Sequence, residues 1–376
     1  MARKGATDGS PPLTLRQLNR ATLARQMLLR RERVRPLAAI ERLVGMQAQF
    51  PRPPFVGLWG RVEGFRREDL TQLLVGRKAV RATFIRGTLH VASARDFVAL
   101  RPTVQPVLEA GMKTILKALG ARVDPERLTR EARAILAEGP QTFEEVRDRL
   151  KRGHPGANER ALGFAVRMLL PLVQVPVGKE AAWAFPANAQ FALAEEWLQR
   201  AIPTDTPSPP DTLVLRYLAA YGPASVADVQ AWSGLPKLRD TLEALRPRLV
   251  TFRDEAGREL FDLPGAPRPD ADVPAPVRLI ADYDNLITTR HDERFVAKGH
   301  RPRVFLPGLR VAATLLVDGF VAGAWKTDRK KDAATLTVEP FVSFSARTRK
   351  EVMAEGEALL RFVEPDARSL EVSVGG

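Results

Sequence analysis

The sequence predicts an α+β fold, mainly helical, in which tandem winged-helix units precede a C-terminal β-rich, barrel-like domain. Three observations carry this reading. Amphipathic helices followed by a two-stranded alternating ribbon occur three times between residues 13 and 264. Pro-rich stretches at 203–210 and 265–276 are stiff and too poor in apolar residues to fold by themselves. Beyond residue 277 the apolar period shortens to two, the mark of strands.

Residues 1–12 lack the apolar core of a signal peptide and read as a short disordered tail. Unit one, 13–93, opens with a helix over Leu15–Arg30, for which Thr14 is the N-cap. A second helix is expected over Pro36–Met46, with Leu37, Ile40, Leu43 and Val44 at helical spacing. Pro51, Pro53 and Pro54 forbid its continuation and predict a stiff, extended turn. Val56–Glu63 is short and mixed, Arg67–Gly76 reads as a third helix, and Ala79–Ala92 as a ribbon broken at Arg86-Gly87-Thr88.

Unit two, 94–202, offers helices at Ala94–Leu119, Pro125–Ala137, Thr142 to Gly153 and Asn158–Leu170, then a strand pair turning near Gly178. Unit three, 211–264, is shorter: helices at Asp211–Tyr221, Ser225–Gly234 and Pro236–Leu245 precede a hairpin turning at Asp254–Gly257. In the last domain, 277–376, strands are expected at Val277–Tyr283, Arg303–Phe305, Ala313–Val317, Phe320–Lys326, Ala334–Pro340 and Ser369–Val374. One helix, Ala346–Phe362, should cap the curled sheet or barrel that they form.

The chain has no cysteine, which removes disulfides, thiolate catalysis and Cys-ligated metals. No apolar run is long enough to span a membrane, and a cytoplasmic location is expected, with a nucleoid-associated monomer as the fuller reading. The net charge of +14 is unevenly spread. The first 100 residues hold 19 Lys and Arg against 7 Asp and Glu, the remaining 276 hold 39 against 37. Such a local basic excess is the footprint of a polyanion binder. Few Tyr and Trp make duplex binding a better match than stacking on single strands.

Within that basic quarter, Gln47 and Gln49 sit one residue apart at an expected helix end, followed by the Pro-rich turn that bears Arg52. Arg52, Arg61, Arg81 and Arg86 are candidate phosphate contacts, and His90 a candidate for DNA or water beside the two amides. Arg160 and Arg167 on one recognition-like helix, and Lys237 and Arg239 on another, are candidates to track the backbone. Lys326, Arg329 and Lys330 are expected on a β-turn as a secondary DNA contact. Asp282, Asp284, His291, Asp292 and His300 match no metal-site spacing, so no metal is expected. Asp282 and Asp284 read instead as residues ordering a domain interface.

Four stretches in order resemble one bacterial family: Gly45-Met46-Gln47-Ala48-Gln49, Arg86-Gly87-Thr88-Leu89-His90, Asp282-Tyr283-Asp284-Asn285 and Leu316–Lys326. It is the winged-helix DNA-binding domain-containing family of AlkZ- and YcaQ-type DNA glycosylases, and the resemblance runs from Leu13 to Val374. It implies removal of alkylated purines and unhooking of interstrand crosslinks, without cofactor or obligate protein partner, on alkylated or crosslinked double-stranded DNA. The family's Gln-apolar-Gln motif falls on Gln47 and Gln49, which makes these the implied catalytic pair. An N7- or N3-alkylated purine is already a good leaving group, so an amide that orients water and faces an oxocarbenium-like sugar suits it. Gln49, where other relatives carry Asp, implies weaker activation of water. The alternative is a non-catalytic winged-helix DNA-binding protein or transcriptional regulator, which would bind without regard to lesions and tolerate loss of Gln47.

Overall fold

Thr14 and Gln17 exchange side-chain and backbone hydrogen bonds in a capping box that starts α1, Leu15–Arg25. A computed structural model describes residues 11–154, 156–288 and 292–375 of the chain. α1 ends at Arg25 rather than Arg30 because Met27 takes a left-handed φ of 58°. It is clamped from several sides. Arg25 donates to both oxygens of Asp262 at 2.7 and 2.8 Å, Arg20 pairs with Asp318, and Asn19 donates to the Arg294 and Gly319 carbonyls.

α2, Pro36–Arg42, also stops short of the expected Met46. Val44 and Gly45 both turn left-handed, and Met46–Gln47 becomes an edge strand, β1. The prolines expected to enforce an extended turn instead open α3, Pro53–Trp59. At the first helical positions a missing N–H costs nothing and the fixed φ is already helical. α4, Arg67–Val75, and the ribbon of β2, Ala79–Thr83, and β3, Leu89–Ser93, follow as expected, with one 3₁₀ turn at Ile85–Gly87 between the strands.

The next segment comprises α5, Ala94–Ala118, α6, Pro125–Ala137, β4, Gln141–Thr142, α7, Phe143–Gly153, and α8, Glu159–Leu169. After β5, Leu172–Gln174, the chain reverses beyond Gly178, which bridges Ala184, and β5 pairs with β6, Gln190–Leu193, which leads into α9, Ala194–Leu198. β5 also pairs with β2, at Arg81↔Gln174 and Ala82↔Val173, so two expected ribbons fuse into one sheet of order β1-β3-β2-β5-β6-β4. α10, Asp211–Tyr221, α11, Val226–Ser233, and α12, Arg239–Leu245, precede the hairpin of β7, Val250–Arg253, and β8, Glu259–Asp262. One apolar cluster runs from Val44 through Leu108 and Leu162 to Phe261 and ties these segments together.

The C-terminal part contains β9, Arg278–Ile280, α13, Asn285–Thr288, and α14, Arg301–Val304, which replaces most of the strand expected there. After it come β10, Phe305–Leu306, β11, Arg310–Val311, β12, Thr314–Val317, β13, Phe320–Lys330, and β14, Ala333–Pro340. α15, Ala346–Val363, leads to β15, Ser369–Val374. Among the described residues no sheet closes. The five strands run β15-β14-β13-β12-β9 with two free edges, so the barrel-like expectation becomes an open sheet with α15 on one face. No helix among the described residues is long and apolar enough to cross a membrane.

Candidate active site

The Gln47 strip is shaped by its exit from α2. Gly45 has φ 89°, and a Cβ there would stand 3.2 Å from the Val91 carbonyl oxygen. That close approach lets β1 lie against β3 in the register Met46↔Val91 and Gln47↔His90, with the Ala48 N–H donating to the Leu89 carbonyl at 2.6 Å. Gln47 is therefore on a strand and not at a helix end, and its side chain is only 8% exposed. Arg86 donates from Nη2 to Gln47 Oε1 at 3.1 Å and to Asn285 Oδ1 at 3.3 Å, and from Nη1 to the Trp232 carbonyl at 2.5 Å. It does so from a left-handed φ of 56°, a costly conformation for a side-chain-bearing residue that these partners hold in place. Burial pulls its guanidinium down to about 10, which leaves it charged at neutral pH.

Beneath the strip, Arg81 is buried and donates to the Ala48 carbonyl at 3.0 and 2.9 Å and to the Gln49 carbonyl at 3.1 Å. It also reaches Gln174 on β5, so the fused sheet and the motif share one cation. Gln49 itself points its side chain into solvent, and the following Phe50 is 54% exposed against Tyr283, ring centres 5.9 Å apart.

Arg61, expected at phosphates, is instead fully buried and donates to both oxygens of Asp284 at 2.8 and 2.9 Å. Arg81 is likewise removed from DNA by burial. His90 lies inside as well: its Nδ1 hydrogen-bonds the Thr88 carbonyl at 3.1 Å and its ring meets the edge of Phe84. Burial first, then Arg86, pull its pKa to about 3, so it is a neutral packing group rather than a DNA contact. Arg52 is half-buried over Trp183, and its Nη2 has no hydrogen-bond partner among the described residues.

The distal candidates divide. Arg160 on α8, Lys237 and Arg239 at the start of α12, and Lys326 and Lys330 on β13 are exposed. Arg167 is half-buried over the Phe143 ring at 4.9 Å, a packing role. Lys326, Arg329 and Lys330 lie on the strand itself, with the turn beyond them at Lys331, and Arg329 also pairs with Glu364 at 3.6 Å. No group of three or more His, Asp or Glu able to hold a metal occurs among the described residues, and His291 lies outside those.

Two spaces meet at the strip. A cavity of about 10 Å³ is walled by Gln47, Asp282, Asp284 and Asn285, among others. An open cleft of about 350 Å³ is walled by Phe50, Arg52, Asp282, Trp325 and Lys326. Sequence reasoning missed that Asn285 and Asp282 join Gln47 here. The signal was present in Asp282-Tyr283-Asp284-Asn285, four polar or aromatic residues that follow β9 and Ala281.

A family model described as DNA glycosylase AlkZ-like matches residues 40–362, which contain the strip, the walls of the open cleft and most of α15. The chain belongs to this family. The AlkZ-like chain is also 26% identical over 347 residues to an interstrand DNA cross-link repair glycosylase of Streptomyces sahachiroi, covering 87% of this chain and 90% of that protein. Its fold matches that of Streptomyces sahachiroi DNA glycosylase AlkZ with a TM-score of 0.75 at 22% identity, over 97% of this chain and 100% of the other. The resemblance carried by the four motifs is thus borne out at the level of family and fold.

Proposed function

We propose that this AlkZ-like chain is a DNA-repair glycosylase that hydrolyses the N-glycosidic bond of cationic N7- or N3-alkylated purines, with interstrand crosslinks as further substrates. Gln47 and Gln49 are its catalytic amides. The single observation that carries this reading is the fixing of Gln47 by Arg86 and β3 at the wall of the small cavity, which shares Pro53 and Asp282 with the open cleft. Family membership and the cross-link repair glycosylase activity for which the Streptomyces relative is named support it over the non-catalytic alternative.

The chemistry follows from charge. The alkylated purine leaves as a neutral base, so the protein need not protonate it, and the positive charge moves onto the sugar. Gln47 Oε1 retains a second lone pair beyond its bond from Arg86, and its amide N–H groups remain available to orient water or a sugar oxygen. Preorganised dipoles of this kind act without reorganisation in the transition state. The three helix-plus-ribbon segments serve as winged helices, and the duplex lies across Arg52, Arg160, Lys237, Arg239, Lys326 and Lys330.

Single-turnover cleavage of a duplex bearing one N7-methylguanine tests the reading. Gln47→Ala should lose about 100-fold or more in rate, the scale of removing one preorganised polar group, with duplex affinity retained. A uracil duplex, whose neutral base is a poor leaving group, should remain intact. Wild-type rates in Gln47→Ala and Gln49→Ala would move the site elsewhere, and tight binding without product on methylguanine or an N7-linked crosslink would restore the non-catalytic reading.

A further inference from the structure

We propose that Asp282 is a third catalytic group, the carboxylate that takes the proton of the attacking water and faces the developing sugar cation; this rests on the glycosylase reading above. Neither amide can do that work. An amide is a very weak base, and the Gln47 carbonyl already accepts from the charged Arg86, which draws electron density from it. The site therefore needs a group of negative charge within reach of the water.

Asp282 stands where such a group belongs. With Pro53 it is a wall common to the small cavity and the open cleft. The cavity, at about 10 Å³ and with Gln47, Asp282, Asp284 and Asn285 on its walls, has the size and the polar lining for one ordered water. The cleft beside it has room for the nucleotide that this water attacks. Asp284 is excluded as the base because both its oxygens are held by Arg61. Tyr283 between the two carboxylates takes a left-handed φ of 58°, and this turn sends one acid onto Arg61 and leaves the other at the cleft.

The contrast with other acids is the telling part. Asp262 is paired with Arg25, Asp96 with Arg216 and Asp318 with Arg20, whereas Asp282 has no ion pair among the described residues. Arg52 acts on it only through space. A half-buried, unpaired carboxylate in a cleft built for a polyanion weakens both folding and phosphate binding, which marks it as a functional group. Burial raises its pKa above the ordinary carboxylate range, toward that of a better base.

In the step itself, the C1′–N9 bond breaks and its electron pair neutralises the cationic purine. The water oxygen bonds to C1′, one of its protons passes to Asp282, and that proton leaves to solvent as the abasic sugar is released.

Single-turnover cleavage of the N7-methylguanine duplex by wild type, Gln47→Ala, Asp282→Asn and Asp282→Glu decides the matter, with duplex affinity and melting temperature measured alongside. Asp282→Asn should slow cleavage by about 100-fold, bind undamaged duplex as tightly as wild type or tighter, and melt at the same temperature or higher. Asp282→Glu should recover part of the rate. Wild-type cleavage should fall in acid as Asp282 protonates, against the fixed charges of Arg52, Lys326 and the Asp284–Arg61 pair, and Asp282→Asn should lose this limb. Full activity in Asp282→Asn while Gln47→Ala is dead overturns the inference and leaves the glycosylase standing. Equal slowing by Asn and Glu with a lowered melting temperature assigns Asp282 a structural role and overturns it too. A wild-type protein that cleaves neither methylguanine nor an N7-linked crosslink overturns both readings.

Discussion

Arg61, Arg81 and Arg86 lie beneath or beside the Gln47 strip with their donors turned onto protein oxygens, whereas Arg160, Lys237, Arg239, Lys326 and Lys330 stand in solvent. The two sets carry the same charge to opposite ends. The first is a scaffold: Arg81 holds the carbonyls of Ala48 and Gln49, Arg86 holds Gln47 and Asn285, and Arg61 neutralises Asp284. The second is free to meet phosphate. A basic excess concentrated in the first 100 residues is thus in good part internal wiring, and the surface available to a polyanion is spread along α8, α12 and β13.

The largest effect that separates the sets should come from Arg61→Met. It strands the buried Asp284 carboxylate and should cost about 3–5 kcal/mol in urea unfolding, with recovery in the Arg61→Met/Asp284→Leu double variant. A cost below about 1 kcal/mol would mean that the pair is not the internal support its burial implies.

His90 sharpens the same division through pH. Its folded pKa of about 3 lies below the ordinary 6.5, so the unfolded chain binds a proton that the folded one refuses between those values. Stability is whole above pH 6.5 and falls as acid is added, by about 1.4 kcal/mol per pH unit, with the loss saturating near pH 3. Between pH 6.5 and 4.5 the difference between wild type and His90→Leu should shrink by roughly 2–3 kcal/mol. A constant difference would show that His90 is protonated in the fold.

The smallest effect is expected from the surface set. Lys326→Ala with Lys330→Ala should leave the melting temperature unchanged and lower the slope of log affinity against log salt by about 2, as roughly 0.9 is lost per phosphate contact. An unchanged slope would take β13 out of the duplex interface.

Most helices were legible because their signals are local. The caps at Thr14, Thr142, Asn158 and Ser225 and the stop at Gly234 stand where propensity and side-chain chemistry require them. The end of α2 was not. Leu43 and Val44 continue the apolar period of α2, yet Val44 and Gly45 turn left-handed so that Met46 and Gln47 can pair with β3, far along the chain. The prolines at 53 and 54 were read as breakers when they are starters, since proline opens a helix as readily as it ends one. The fusion of β2 with β5, and the open C-terminal sheet, were equally hidden.

By itself the sequence determined the helical segments, the strand-rich C-terminal quarter, the family and the two amides that name the motif, because periodicity, caps and short motifs are written in neighbouring residues. Which arginines are buried, and that Asp282 and Asn285 stand beside Gln47, only the tertiary structure decided. An arginine reads alike in either setting until a partner such as Asp284, more than two hundred residues away, takes it out of water.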